Sequence, residues 1–284
     1  MKRGEVLIYS FLTSFLLAGL NFTYEESNKD KYLLFKKDAA PYKEVKITIV
    51  YDNYSIEPDL KSAWGFSCLI QETERTILFD TGGDGQILLF NMQKLGINPD
   101  KIDIVVLSHI HSDHTGGLDL FLARNPKIKI YLPSSFPWGF KQKAAEMGAR
   151  IFGIKEPSKI CRGIYSIGEM GRRIKEQSLL INTEKGLVII TGCAHPGIVN
   201  IIKKAREIIK SNIYLVLGGF HLSEAGSHQI ESIIREFKQE GVEKVAPCHC
   251  SGELTRRFFQ EAYREDFIIA GVGKKIKIKT FSGE

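Results

Sequence analysis

Histidine and aspartate side chains concentrate in one short segment, directly after an apolar run. Residues 109–114 read HIHSDH and follow IVVLS at 104–108. A strand end that continues into a loop can turn alternate side chains towards one point, and imidazole with carboxylate suits a borderline cation such as zinc. Without a cation, several titratable groups would lie close together at a buried strand end, and nothing would compensate the cost of burying them. The segment therefore predicts a metal site on His109, His111, Asp113 and His114.

Three further histidines follow apolar runs that are typical of strands. His195 comes after GLVIITG, His221 after NIYLVLGG, and His249 after EKVAP. His228, at the start of a helical pattern, is typical of an ordinary surface residue. Six of the seven histidines thus follow predicted strands, a distribution that is hard to obtain by chance.

The remaining pattern predicts an α/β fold. The apolar runs are nearly continuous, which indicates strands buried on both faces. Helical spacing separates several of them, with apolar residues at i, i+3, i+4 and i+7. The predicted strands are 45–51, 66–70, 76–80, 102–108, 127–132, 186–192 and 212–219, together with QSLLIN at 177–182 and a half-exposed strand in the alternating KKIKIKT at 274–280. The two clearest helical faces are Ile198, Ile201, Ile202, Ala205, Ile209 and Ile230, Ile233, Ile234, Phe237.

Composition narrows the class of protein. The 284 residues are 43% hydrophobic and 25% charged, which excludes a disordered chain and a multi-span membrane protein. The net charge of +6 is spread along the sequence, so we expect a small anionic or phosphorylated ligand and no nucleic-acid partner. Five scattered cysteines do not form a disulfide framework, and we expect reduced thiols.

The N-terminal region divides into two predicted segments before the main domain. Residues 1–24 have a basic start and an uncharged apolar stretch, which predicts a signal or membrane anchor with membrane contact through 6–24. Residues 25–43 are charge-rich and read as a linker, so the main domain is 44–284. Basic residues precede the apolar stretch and acidic residues follow it, which would place the main domain outside the cytoplasm, either anchored or exported. A cytoplasmic location is the alternative, and the oligomeric state stays open.

Together these motifs resemble the metallo-β-lactamase fold superfamily. Residues 109–114 match its H-x-H-x-D-H signature in full, and LFDTGG, TGCAHPG, GGFHL and PCHCSG resemble the branch of the 7,8-dihydropterin-6-methyl-4-(β-D-ribofuranosyl)-aminobenzene-5'-phosphate synthase. The resemblance covers residues 45–284 and implies an αββα sandwich with a two-metal site along one edge of its sheets.

By position, the resemblance also implies a ligand set. The expected cofactors are two divalent ions, zinc before manganese, magnesium or iron. Asp80, at the end of TILFD, matches an acid that orients the metal-binding loop through hydrogen bonds. The implied ligands are His109, His111 and His195 for the first ion and Asp113, His114 and His249 for the second.

The chain departs from the superfamily pattern at one position. Many dinuclear members carry a bridging aspartate at the end of the strand that here reads LVLGGFH, and this chain offers His221 instead. His221 is then a ligand, a substrate contact or a proton donor. We expect Asp113 and His221 to take part in catalysis, and Asp113 would orient or deprotonate a water molecule.

Three functions remain open at this level. The first is a hydrolase that directs metal-bound hydroxide at a phosphoester or acyl group. The second is a dihydropterin-type transferase, in which the ions neutralise a departing diphosphate while an arylamine attacks. The third is a non-catalytic metal-binding or regulatory protein on the same fold.

Several residues near these motifs are open to two interpretations. Cys193, Cys248 and Cys250 flank the proposed ligands. The Cys248-x-Cys250 pair could bind zinc, but structural packing is expected, because along an extended strand end these two sulfurs would face away from His249. An oxidising compartment would add the alternative of a Cys248–Cys250 disulfide. The aromatic residues among them would pack in the core or frame a flat substrate ring. The three basic residues lie in one loop, which would be exposed to solvent or bind phosphate. The aromatic residues are Trp64, Phe66 and those of the turn 135–140, and the basic residues are Arg172, Arg173 and Lys175.

Overall fold

The computed structural model describes residues 41–280. The predicted signal or anchor at 1–24 and most of the predicted linker lie outside these residues. Among the residues described, no helix combines the length and the apolar character needed to cross a membrane. The first strand begins at Glu44.

Two sheets form the centre of the described part. The first has the order β13-β1-β2-β3-β4-β5-β6, with β3 to β6 parallel. The C-terminal strand β13 pairs with β1 at one edge of this sheet. Its residues are buried alternately, as the KKIKIKT pattern indicates. The strands are β1 (Glu44–Tyr51), β2 (Ser67–Gln71), β3 (Ile77–Phe79), β4 (Ile104–Val106), β5 (Lys129–Pro133), β6 (Arg150–Ile154) and β13 (Lys275–Lys279).

The second sheet has the order β12-β11-β10-β9-β8-β7. Its strands β10, β11 and β12 are parallel to one another. All six residues of β10 are buried, as the continuous apolar run predicts. The strands are β7 (Ser158–Cys161), β8 (Ile164–Ser166), β9 (Leu179–Thr183), β10 (Gly186–Thr191), β11 (Ile213–Gly219) and β12 (Lys244–Cys248).

Helices cover the outer face of each sheet. Leu88, Met92 and Phe121 pack on the first sheet, and Ile202, Phe237 and Phe259 pack on the second. The helices are α1 (Gly85–Lys94), α2 (Ser112–Thr115), α3 (Leu118–Arg124), α4 (Trp138–Glu146), α5 (Ile198–Ile208), α6 (Ser227–Gln239) and α7 (Glu253–Tyr263), with 3-10 turns at Pro99–Lys101, His249–Ser251 and Arg264–Asp266.

The inner faces of the sheets share one apolar core. Ile47 and Phe79 from the first sheet lie in the same cluster as Leu179 and Leu217 from the second. Each of these four side chains has 0% exposure. This layering is the αββα sandwich that the motifs imply, so the fold prediction is confirmed.

Differences from the sequence prediction are confined to short elements. The predicted strands are present with ends shifted by one or two residues, while β6, β7 and β8 were not predicted. β6 and β7 are interrupted by glycine and by lysine respectively, and β8 has only three residues. α5 ends at Ile208, and Ile209 is its C-cap in an extended conformation.

The topology directs several strand ends to one edge of the molecule. Within each sheet, parallel strands place their carboxyl ends on the same side, where α/β proteins bind ligands. β3 and β4 of the first sheet end just before Asp80 and the HIHSDH segment. β10, β11 and β12 of the second sheet end just before His195, His221 and His249.

Candidate metal centre

A buried carboxylate organises the segment that follows β4. Asp80 Oδ1 accepts a hydrogen bond from the Ser108 N–H at 2.6 Å, and its Oδ2 accepts one from Ser108 Oγ at 2.7 Å. Oδ2 also lies 2.7 Å from His114 Nδ1. Because Nδ1 is engaged by Asp80, the other ring nitrogen of His114 points towards the remaining histidines.

One group of imidazole nitrogens converges beside β4 and β10. His109 Nε2 lies 3.1 Å from His111 Nδ1 and 3.3 Å from His195 Nε2. Zinc–nitrogen bonds of 2.0–2.1 Å at tetrahedral angles separate two ligand nitrogens by about 3.3 Å. The spacing of these three nitrogens therefore fits one face of a zinc coordination shell.

A second group of ligand atoms lies beside the first. His114 Nε2 is 3.2 Å from His249 Nε2. Asp113 Oδ2 lies 3.5 Å from His114 Nε2 and 3.3 Å from His249 Nε2. These separations match the same tetrahedral edge, so the donors of this group also suit a divalent cation.

The protonation states of most donors suit metal binding, which needs neutral imidazole and ionised carboxylate. Burial, together with the neighbouring histidines, lowers the pKa of His109 far below its ordinary value. Burial and the nearby His221 lower the pKa of His195 to about 4. Burial raises the pKa of Asp113, but hydrogen bonding to His249 and the charge of His114 outweigh it and leave that pKa low.

His114 differs from its neighbours in its electrostatics. Burial lowers its pKa, but the adjacent Asp80 carboxylate outweighs this effect and leaves the pKa raised. A proton on His114 therefore competes with a cation for Nε2.

A buried glutamate that the sequence did not single out holds the loop of His195. Glu176 Oε1 accepts the N–H groups of Cys193 and Ala194, each at 2.9 Å. Its Oε2 accepts the N–H of His195 at 2.8 Å. Burial raises the pKa of Glu176 despite these donors. The only sequence signal was its position just before the strand QSLLIN.

His249 is positioned by the loop that follows β1. Its Nδ1 lies 3.1 Å from Asn53 Oδ1, and its N–H donates to Asp52 Oδ1 at 3.4 Å. Burial raises the pKa of Asp52 to about 6. The chain from His249 to Ser251 is a 3-10 turn, so the predicted extended continuation is wrong there.

Strained backbone conformations mark these strand ends. Non-glycine residues seldom adopt a positive φ, and where they do the strain often coincides with a functional site. Asp80, Ala194, His221 and His249 have φ values of 56°, 61°, 55° and 48°. These residues directly follow or lie next to the ends of β3, β10, β11 and β12.

His221 lies at the rim of the two groups and not within either. Its side chain is exposed, and its ring centroid is 4.4 Å from that of His195. One of its ring nitrogens lies within 4.8 Å of the sulfurs of Cys193 and Cys250. His228, by contrast, is a fully exposed residue of α6, as predicted.

Cys193 is buried, which agrees with the expected packing role, and its sulfur also lies beside the ligand atoms. Its Sγ lies 3.2 Å from His114 Nε2 and is among the ligand atoms of both histidine groups. All five cysteines of the chain are free thiols. The signal in the sequence for this position is that Cys193 lies two residues before His195 in TGCAHPG.

One of the candidate substrate contacts, Trp64, lies near these donors. The Trp64 side chain is 56% exposed, and its ring centroid is 4.8 Å from that of His249. Phe66 is buried between the sheets against Phe79, so its core alternative holds. Arg172 and Arg173 are exposed in the loop between Met170 and Glu176, which are paired by backbone hydrogen bonds.

Other candidate contacts have structural roles or lie on the surface. Lys175 Nζ donates to Gly171 O at 2.8 Å. In the turn 135–140, Phe136 is buried and packs edge-on against Phe140, while Trp138 is 62% exposed.

Comparison with known proteins gives consistent matches. The model of the metallo-beta-lactamase superfamily matches residues 65–203. The 7,8-dihydropterin-6-methyl-4-(beta-D-ribofuranosyl)-aminobenzene-5'-phosphate synthase of Methanocaldococcus jannaschii is 34% identical, with 82% of this chain and 96% of that protein covered.

Solved structures show the same relationship. The structure of Tm1679, described as a metal-dependent hydrolase of the beta-lactamase superfamily, matches at a TM-score of 0.70 and 28% identity, covering 83% of this chain and 100% of the other. The metallo-beta-lactamase fold protein YhfI from Bacillus subtilis matches at 0.62 and 16% identity, covering 82% and 99%. This second likeness concerns the fold.

Proposed function

Because the chain belongs to the metallo-β-lactamase superfamily, we propose that it is a metal-dependent enzyme acting on a small anionic substrate. The observation that carries this proposal is the convergence of six histidine and aspartate side chains at one edge of the sandwich. Their separations of 3.1–3.5 Å within each group suit cation binding better than unmetallated packing.

We assign the six side chains to two metal positions. Nitrogen-rich donors with one carboxylate favour zinc, and manganese or iron would also accept this set, whereas magnesium prefers oxygen. The first position would use His109, His111 and His195, and the second Asp113, His114 and His249. Asp80 and Asn53 would fix the rings of His114 and His249 through their other nitrogens.

Divalent cations bound there would supply Lewis acidity and positive charge that stabilise an anionic leaving group. The Asp113 side chain, 20% exposed, would accept a hydrogen bond from the nucleophile and orient it. His221, exposed beside His195, would donate a hydrogen bond from a ring nitrogen to the departing oxygen. Trp64 would offer a flat apolar surface next to His249.

The first candidate reaction is a dihydropterin-type transfer. It is supported by the synthase relative, whose match covers nearly that whole protein. In this reaction an arylamine nitrogen would form a bond to the methylene carbon of a dihydropterin, the carbon–oxygen bond would break, and diphosphate would leave with the electron pair. The nitrogen would then lose a proton. The exposed arginines Arg172 and Arg173 would meet the phosphate groups.

The second candidate is hydrolysis of a phosphoester or acyl group. It is supported by the structural match to Tm1679, described as a metal-dependent hydrolase. The same side chains would serve, with water in place of the arylamine, so the site residues alone favour neither reaction.

One assay separates the candidates. The full-length protein would be incubated with a dihydropterin methyl diphosphate, with and without an aminobenzene ribofuranosyl phosphate. Transfer predicts diphosphate release only with the arylamine, and a coupled product in equal amount. Hydrolysis predicts release without it. No turnover of this pair, of phosphoesters or of thioesters would contradict the enzymatic proposal and favour a binding role.

A further inference from the structure

One sulfur atom lies among the ligand atoms of both metal positions. Cys193 Sγ belongs to one cluster of possible ligand atoms with Asp113, His114 and His249, and to a second cluster with His109 and His195. Within each group the ligand atoms lie no more than 4.8 Å from one another. Cys193 Sγ is therefore next to both positions.

The backbone around Cys193 is held in place from two sides. Its N–H donates to the buried Glu176 carboxylate at 2.9 Å. The preceding residue, Gly192, lies so close to β4 that a Cβ there would fall 2.2 Å from Ser108 Oγ. The thiol itself is nearly inaccessible, at 4% exposure. These contacts fix the sulfur beside the histidines.

The charge of the site calls for a further anion. Asp113 is the only carboxylate among the six assigned ligands. Asp80 and Glu176 bond to a ring nitrogen and to backbone N–H groups and are not ligands, so the ligand set itself compensates little of the repulsion between two divalent cations. The end of β11 supplies no acid, because Phe220 is buried in the outer core and His221 is exposed at the rim. A thiolate binds zinc strongly and carries the required negative charge.

We propose that Cys193 is a metal ligand, shared as a thiolate between the two positions in place of a bridging carboxylate. The proposal rests on the metal centre assigned under the proposed function. Without a cation, hydrogen bonding to Cys250 and burial raise the pKa of the Cys193 thiol. A coordinating cation removes the proton from a thiol outright.

Cys250 provides the matched control. It is also a buried thiol, and its Sγ donates to the Cys193 carbonyl at 3.6 Å. However, the only cluster of possible ligand atoms that contains its sulfur is the one with Cys193 and His221. None of the six assigned ligands belongs to that cluster. Substitution of Cys250 should disturb local packing to a similar extent while leaving the sulfur ligand in place.

The test is zinc-edge X-ray absorption on the full-length, zinc-loaded protein and on the variants Cys193→Ser and Cys250→Ser. We expect a zinc–sulfur distance of about 2.3 Å in the wild type and in Cys250→Ser, and its loss in Cys193→Ser. Cobalt substitution adds a second readout, since a thiolate ligand gives a near-ultraviolet charge-transfer band. Zinc content should fall from two equivalents towards one in Cys193→Ser and recover in Cys193→Asp.

Each contrary outcome has a distinct meaning. A wild-type protein with two zinc ions, turnover and no sulfur contact would overturn the role of Cys193 and leave the proposed function intact. Loss of the sulfur contact in Cys250→Ser but not in Cys193→Ser would also overturn it. A protein that binds no zinc would refute both proposals. If Cys193→Ser does not fold, the wild-type spectrum alone still decides whether zinc has a sulfur ligand.

Discussion

At the scale of single residues, the candidate centre depends on two carboxylates and one amide that do not themselves belong to the ligand set. Asp80, Asn53 and Glu176 each engage a ring nitrogen or a backbone N–H of a proposed ligand. Such partners select the tautomer and fix the direction of the ligating atom. Their substitution should therefore weaken metal binding without removing a ligand.

Asp80→Asn tests this directly. The amide NH₂ would face a hydrogen-bond donor of Ser108 or His114, because both carboxylate oxygens accept bonds in the wild type. We expect the affinity for zinc to fall by about 10–100-fold, measured by competition with a chromophoric chelator. Asp84→Asn, which keeps an N-cap acceptor at the exposed start of α1, should leave the affinity unchanged. Equal affinities for both variants would refute the orienting role.

His221 offers a second test at this scale. Because it lies outside the six assigned ligands, His221→Ala should retain full zinc content. If its ring donates a hydrogen bond to the departing oxygen, kcat should fall by about 100-fold or more. Loss of one zinc equivalent would instead make His221 a ligand, and unchanged turnover would make it a bystander.

At the scale of elements, the centre depends on how closely β10 approaches β3 and β4 of the other sheet. Gly192, just after β10, leaves no room for a side chain against Ser108 and Asp80. This approach brings the loop of His195 to the HIHSDH segment. The two sheets therefore make a close contact beside the proposed ligands.

Gly192→Ala should separate the two loops. Its Cβ would overlap Ser108 Oγ and lie 3.1 Å from Asp80 Oδ2, so we expect a loss of about 1–3 kcal/mol in the free energy of unfolding and weaker zinc binding. Urea unfolding and zinc titration measure the two effects. Gly139→Ala, in α4 with nothing within 4 Å of its Cβ, should be neutral or slightly stabilising. Similar behaviour of the two variants would contradict the close-approach argument.

The elements also show what the sequence could and could not predict. Long apolar strands such as β10 and β11, and the histidines that follow them, were readable because strand burial and ligand spacing are local patterns. Contacts between distant segments were not, such as the one between Asn53 and His249, which are separated by 196 positions. The position of the Cys193 sulfur beside the ligand atoms could not be predicted for the same reason, since it depends on how the two sheets pack.

At the scale of the whole molecule, the proposed metal centre joins the two sheets. The ligands His109, His111, Asp113 and His114 follow β4 of the first sheet. His195 and His249 follow β10 and β12 of the second. Cations bound to both sets would link the halves of the sandwich and stabilise only the folded state.

Removal of metal should therefore lower the thermal stability of the entire domain. A free zinc concentration of 100 times Kd contributes about 2.7 kcal/mol, which corresponds to a Tm shift of about 5 °C for a chain of this size. Scanning calorimetry of the full-length protein with chelator and with added zinc measures this shift. A Tm that is independent of zinc would show that zinc does not bind preferentially to the folded state, and it would contradict a metal centre that joins the two sheets.

The central claim is a two-metal centre formed by these six side chains. The most direct measurement is elemental analysis of the full-length protein, purified without chelator, beside the variants His111→Ala and His249→Ala. We predict close to two equivalents in the wild type and a loss in each variant, from the first position and the second position respectively. A wild-type protein without metal, or variants that keep the full content, would contradict the assignment.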